Sequence, residues 1–320
     1  MDTADLTTRE DVAAAARRLD GRVHRTPVMT ARSLAGELGC ELVLKAELFQ
    51  RTGSFKVRGA LNKVLQLDED ERRRGVVSLS AGNHAAALAY AAREVGTTAL
   101  VVMPATASRV KVAATEAYGG RVLLTEGNLL EVCLAEQAAG DLTLVHPFDD
   151  VAVIAGAGTV GLELLEQVGD LDMVVVPVGG GGLISGVAAV IKATRPSVTV
   201  LGVEPSGANA MTRSLRSGVP ETVTPVTVAD GLATPFAGAH TLRHVQAFVD
   251  DVLEVDDDEI VAAFQLLASR AKLALEPSAA AGLAAVLRSP DRFAGRRVAV
   301  VVTGGNVDPQ VAAHLLTAQR

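Results

Sequence analysis

"MVVVPVGGGGLISGVAAV", residues 173–190, carries an apolar strand-like run into four consecutive glycines and then into a helix-like stretch. A strand apolar at every position, rather than at alternate ones, is what a parallel sheet requires when helices cover both of its faces. Gly179, Gly180, Gly181 and Gly182 leave no Cβ to obstruct a ligand, and the helix start after them offers unpaired N–H groups. Such a turn is suited to cradle a phosphate, the lesser reading being a tight strand-to-helix turn with no ligand. It lacks the Lys-Ser/Thr of a P-loop, so nucleotide triphosphate hydrolysis is not indicated.

The same alternation continues on either side. "ELVLKAEL", "GVVSLS", "TTALVVMP", "GRVLLTE", "DLTLVHPF", "VTVLGVEP" and "RRVAVVVTGG" read as further strands, separated by Ala- and Leu-rich stretches of helical length. The expected class is α/β, with parallel sheets covered by helices. Four of the strands fall in residues 75–150 and suggest a small domain inserted into a larger one formed by residues 1–74 and 151–320. Residues 205–245 are the least regular and rich in turn formers, as segments shaping a substrate pocket often are.

Bulk properties narrow the partners. The 320 residues include 30 Lys plus Arg against 37 Asp plus Glu, a formal charge of −7 with no basic stripe, which disfavours nucleic acid and anionic membrane. No apolar run approaches the length of a membrane span, and the first 20 residues mix both charge signs instead of forming a signal peptide. Cys40 and Cys133 have neither metal spacing nor the numbers for a disulfide framework. A reducing, cytoplasmic setting is expected.

"VAVIAGAGTVGLELL" places Gly156, Gly158 and Gly161 in the G-x-G-x-x-G spacing of dinucleotide-binding proteins. An NAD-dependent dehydrogenase would need an acidic residue closing the next strand, and that strand instead runs into the tetraglycine turn. The other reading is a helix entered through small residues.

In "QRTGSFKVRGALNKV", Ser54 reads as an N-cap that places Lys56 in the first helical turn. The helix dipole, the neighbouring Arg58 and any burial all favour the free amine. A free amine is what a Schiff base with a carbonyl cofactor requires, and a phosphate tail on that cofactor would account for the glycine turn. Taken alone, a lysine at a helix start also reads as a surface residue.

Four motifs in order, "SFKVRGA", "SAGNHA", "PVGGGGL" and "TGGNVD", resemble the pyridoxal phosphate enzymes of the tryptophan synthase β fold, in particular the threonine/serine dehydratase and serine racemase family. The resemblance runs from Thr26-Pro27 to Asp308 and implies a two-lobed fold with the cofactor between the lobes. By it, Lys56 resembles the lysine that holds the cofactor and moves the Cα proton. Phe55 resembles the residue beside the cofactor ring, and Asn83 the asparagine facing the phenolic oxygen. The glycines at 179–182 resemble the phosphate loop, Gly231 a glycine beside the cofactor, and Thr303 the hydroxyl against the pyridine nitrogen.

Ser80, Ala81, Gly82, Asn83 and His84 resemble the loop that grips the substrate carboxylate, with His84 expected as a structural hydrogen-bonder. Glu276 matches a glutamate near the substrate pocket, although a carboxylate before a proline is as readily a solvated one. In "VEPSGANAM", Glu204 and Ala208 match the cation site of some relatives, but Ala210 replaces its aspartate, so no metal is expected. With "TGGNVD" so near the last residue, an added C-terminal regulatory domain is not expected either.

The activity implied is a pyridoxal phosphate-dependent ammonia-lyase that dehydrates a β-hydroxy amino acid, foremost L-threonine or L-serine, to a 2-oxo acid and ammonia. Serine racemase and a dehydratase of threo-3-hydroxyaspartate or phenylserine are the alternatives. The family's racemases place a proton-donating serine where this chain has Ala81, which favours dehydration. Relatives are commonly dimers or tetramers, so a homo-oligomer is expected.

Overall fold

The structure, a computed structural model, describes residues 6–80 and 82–318. Ten strands alternate with helices along the chain: β1 (Val28–Thr30), β2 (Glu41–Ala46), β3 (Val76–Leu79), β4 (Ala99–Pro104), β5 (Arg121–Thr125), β6 (Thr143–Leu144), β7 (Met173–Pro177), β8 (Thr199–Pro205), β9 (Asp251–Val255) and β10 (Arg297–Val302). They form two sheets. One has the order β1-β2-β10-β7-β8-β9 and the other β5-β4-β3-β6. Every pairing is parallel except that of β1 with β2.

The strand centres show why the valine runs are continuous. Val174 and Val176 of β7, with Ala299 and Val301 of β10, join the core cluster beneath Val12, Leu164 and Ile184. Met173 and Val175 of β7, with Val298, Val300 and Val302 of β10, join the opposite cluster beneath Leu34, Phe264 and Leu283. Alternate side chains thus enter two different helical layers, and a polar residue on either face would be stranded.

The four-stranded sheet is built from residues 76–144, between β2 and β7. A third cluster ties it to the rest of the molecule, packing Val57 and Leu61 of the helix Lys56–Val64 against Leu88 and Tyr90 of the helix Asn83–Val95, together with Val153.

The dinucleotide spacing is resolved here. Residues 156–161 lie within one continuous helix, Val151–Gln167, entered through the cap Asp150, whose Oδ1 accepts from Ala152 N and Val153 N. A Cβ on Gly156 would come within 2.4 Å of the Arg58 carbonyl oxygen. The small residues therefore serve close helix packing against Arg58 and Gly186, not a nucleotide. Two strands escape the expectation: β1 has only three residues, and "DVLEV" of β9 is broken by charge. Among the described residues no helix is long and apolar enough to cross a membrane.

Candidate active site

A cavity of about 730 Å³ opens at the carboxyl ends of the parallel strands, between the two sheets. Every described residue expected in the site lines it: Phe55 and Lys56, Ser80 and Gly82 to His84, the glycines at 179–182, Gly231, Glu276 and Thr303. Ala81 lies outside the described residues.

Lys56 is the first residue of its helix, but Ser54 does not cap that helix. The N-cap is Phe55, and the Ser54 hydroxyl is buried without a partner. The reason is a lacing of residues 52–55 to 303–306. Ser54 bridges Gly304, Phe55 N donates to Thr303 O at 3.2 Å, Gly305 N to Gly53 O at 2.9 Å, and Asn306 Nδ2 to Thr52 O at 2.7 Å. This lacing fixes Lys56 relative to Thr303 although 247 positions separate them.

The Lys56 amine donates to Pro147 O at 2.8 Å and stands 5.3 Å from the centre of the Phe55 ring. Burial lowers its pKa to about 8, against the attraction of Glu276. Arg58 is not part of that effect. Its guanidinium is buried behind the helix in ion pairs with Glu47, at 2.8 Å, and Glu163, at 2.7 Å.

Gly181 adopts a left-handed conformation, φ +91°, and caps the helix Gly182–Thr194. On Gly180 a Cβ would fall 2.3 Å from the Phe148 ring. Glycine is thus required by space as well as by φ, and the helix N-terminus stays open to the cavity.

Glu276, left open between pocket and solvent by the sequence, is buried in the cavity wall. Burial raises its pKa to about 7, opposed by hydrogen bonds from Asn83. His84 Nε2 lies 3.2 Å from Val145 O, so it donates there, and burial lowers its pKa to about 3. Burial thus keeps the imidazole neutral. Glu204 is turned away from any cation role: Oε1 accepts from Met211 N at 2.9 Å, and Oε2 from Thr212 N and Oγ1 at 2.8 Å. Among the described residues no three His, Cys, Asp or Glu side chains gather as metal ligands would.

A family model described as pyridoxal-phosphate dependent enzyme matches residues 19–304. The chain belongs to the pyridoxal-phosphate dependent enzymes. The L-threonine ammonia-lyase of Thermotoga maritima is 45% identical over 95% of this chain and 76% of its own length. The L-threo-3-hydroxyaspartate ammonia-lyase of a Pseudomonas species is 43% identical over 97% of this chain and 99% of its own. The structure of maize serine racemase superposes with a TM-score of 0.92 at 39% identity, covering 96% of each chain. The chain therefore falls among the pyridoxal phosphate-dependent ammonia-lyases and racemases, with the fold of those enzymes.

The residues present fit that cofactor. A lysine biased toward the free amine, a glycine cradle that a Cβ would fill, the Asn83 amide and the Thr303 hydroxyl share one cavity. Sequence reasoning missed four of its neighbours. Lys111 and Asp230 form an ion pair across the cavity, Phe148 lies beneath the glycine turn, and His146 lines the cavity beside Phe148. None carries a local signal, because topology alone brings them together.

Proposed function

We propose that the protein is an ammonia-lyase that dehydrates β-hydroxy amino acids with an uncharged β-substituent, L-threonine and L-serine, to 2-oxo acids and ammonia. Pyridoxal phosphate, when bound, supplies an electrophilic carbonyl and an electron sink that acidifies the substrate Cα–H. Lys56 would hold it covalently, the turn at 179–182 its phosphate, Asn83 its phenolic oxygen and Thr303 its ring nitrogen, with Phe55 and Gly231 beside the ring. The N–H groups at the start of the helix Asn83–Val95 would receive the substrate carboxylate. Lys56 Nζ, as a free amine, takes the Cα proton. The same Nζ can then give a proton to the departing β-hydroxyl, so that water leaves and the amine is restored.

One observation carries the choice of substrate. Among the described residues lining the cavity, the cations are Lys56, committed to the cofactor, and Lys111, already paired with Asp230. His84 and His146 are both held neutral by burial. The remaining wall is largely apolar, with Leu79, Leu129, Phe148, Leu232, Pro235 and Phe236. A β-carboxylate entering it would lose water without gaining a free cation, at a cost of about 1.4 kcal/mol or more, tenfold in kcat/KM. A methyl group or hydrogen is accepted without that cost.

Ketoacid release from L-threonine, L-serine, threo-3-hydroxyaspartate and phenylserine tests this reading. Threonine and serine should exceed hydroxyaspartate by at least about tenfold in kcat/KM. A preference for hydroxyaspartate would overturn the substrate assignment, and no ketoacid from any of the four would overturn the dehydratase reading.

A further inference from the structure

Residues 145–150, "VHPFDD", join the four-stranded sheet to the helix Val151–Gln167, and His146, Pro147 and Phe148 among them line the cavity. Val145 O accepts from Ser78 Oγ at 2.6 Å and from His84, and Pro147 O accepts from Lys56. Phe148 fills the space beneath Gly180 and Gly182. Asp149 accepts from Ala239 N and Thr241 N, and Asp150 caps the next helix. The one side chain of this strap without a structural task for all of its polar atoms is His146.

His146 Nδ1 accepts from Asp149 N at 2.8 Å and Phe148 N at 3.3 Å. A nitrogen that receives two N–H donors carries no proton of its own, so in the neutral ring the proton sits on Nε2. Nε2 has no hydrogen-bond partner among the described residues, and the ring lines the cavity. Its plane is set edge-to-face by Phe148, with centroids 4.6 Å apart, and by Phe236 at 6.3 Å. The ring is thus a donor of fixed tautomer and fixed orientation, close enough to Lys56 for the ammonium to disfavour its protonation.

We propose that His146 donates a hydrogen bond from Nε2 to the β-oxygen of the substrate and so orients the group that leaves. The inference rests on the dehydratase reading given above. Lys56 must reach the substrate Cα, and the β-oxygen is two bonds from Cα, which puts it in the part of the cavity that Lys56 and His146 share. The phosphate has its own donors at the glycine turn, and the carboxylate has those of the helix Asn83–Val95. A neutral donor matches a neutral hydroxyl and offers little to a charged β-substituent. The hydrogen bond itself transfers no proton: the Cα proton passes to Lys56 Nζ, the C–O bond breaks with its electron pair on oxygen, and oxygen leaves as water with a proton from Nζ.

The experiment separates the leaving groups. His146→Asn keeps an oxygen near the place of Nδ1, where the N–H groups of residues 148 and 149 can close an Asx turn, but withdraws the donor at the reach of Nε2. The holoenzyme variant should lose about 10- to 100-fold in kcat/KM on L-serine and L-threonine. It should lose less than about threefold on β-chloro-L-alanine, whose chloride leaves without a proton and is a poor acceptor. Its affinity for pyridoxal phosphate, read by absorbance titration, should hold within the same range.

Equal losses on L-serine and β-chloro-L-alanine, a loss of cofactor affinity, or unchanged L-serine kinetics would each overturn the inference while leaving the dehydratase reading intact. No ketoacid from the wild-type enzyme would overturn both. Independently of turnover, protein labelled with 15N in its histidine rings should show the His146 proton on Nε2 and not on Nδ1 between pH 6 and 8. A proton on Nδ1 would likewise overturn it.

Discussion

Glu276 offers both carboxylate oxygens to one donor: Asn83 Nδ2 lies 2.9 Å from Oε1 and 2.9 Å from Oε2. The Asn83 oxygen accepts in turn from Asn306 Nδ2 at 2.8 Å, and the same nitrogen reaches Thr52 O at 2.7 Å. Four segments distant in sequence are thereby linked at one wall of the cavity. The carboxylate in this chain has no cation at hydrogen-bond distance and is buried, so its pKa rises to about 7.

That shift fixes the sign of a stability effect. The folded pKa lies above the unfolded value of about 4.3, so the folded state holds a proton that the unfolded state has lost between those pH values. The resulting stability is complete below about pH 4.3 and is lost as pH rises through 7. Replacing Glu276 with Gln should remove this loss and make the apoprotein more stable than wild type at pH 8, by about 2 kcal/mol. Glu204, also raised to about 7 by burial, keeps part of the slope in the variant. Urea melts from pH 5 to 8 measure the difference, and parallel slopes in the two proteins would show that Glu276 titrates normally.

In the proposed function Lys56 is both cofactor anchor and base, so Lys56→Ala should lose the visible absorbance of the holoenzyme and ketoacid release together. In the wild-type apoprotein, the rate of pyridoxal phosphate uptake should climb with pH through about 8, where the ammonium gives up its proton. Full turnover by Lys56→Ala would sink the assignment of this residue.

The glycine cradle makes a contrasting pair of substitutions. Gly180→Ala drives a Cβ into the Phe148 ring and should weaken pyridoxal phosphate binding at least about tenfold, with about 1–3 kcal/mol of destabilisation from overpacking. Gly36→Ala, in the helix Arg32–Leu38 with nothing near its Cβ, should leave cofactor binding unchanged and stabilise slightly. Equal cofactor affinity in the two variants, measured by absorbance titration, would remove the steric argument for the cradle.

All strands but β1 and β9 were legible, most plainly where a doubly covered parallel strand must be apolar throughout, as the runs at 173–177 and 297–302 nearly are. The position of Lys56 at a helix start was legible too, but its cap was not. Ser54 has the right chemistry and spacing, yet its backbone is spent on Gly304, a partner 250 residues away. His146 and the pair of Lys111 with Asp230 were invisible for the same reason. Each is an ordinary polar residue in its own segment and acquires a role only where the two sheets face one another.

We propose that dehydration prevails over racemisation, from the sequence resemblance that sets Ala81 where the family's racemases carry a proton-donating serine. Racemisation needs a proton donor on the substrate face opposite Lys56, and a methyl side chain carries no exchangeable proton. L-serine should therefore yield pyruvate with only traces of D-serine on chiral chromatography, and Ala81→Ser should raise the D-serine fraction. D-serine formed by the wild type as fast as pyruvate would contradict this.

Asp230 is the residue that keeps the cavity's second cation occupied. Its ion pair with Lys111 joins the helix Arg109–Ala117 of the four-stranded sheet to the turn Asp230–Leu232, and both partners are partly exposed. Such a pair contributes about 0–1 kcal/mol, so Asp230→Asn should cost little stability. What it changes is the state of Lys111, whose ammonium becomes free to meet an acidic β-substituent. The ratio of kcat/KM for threo-3-hydroxyaspartate over L-threonine should then rise about five- to tenfold, the range of a single half-exposed charge contact. The rise should shrink at high salt, because a contact at the cavity mouth is screened. In the double variant Asp230→Asn with Lys111→Met the ratio should return to the wild-type value, since no free ammonium remains. A ratio that rises equally in single and double variants would mean that the loss of the Asp230 charge, not the release of Lys111, admits the acidic substrate.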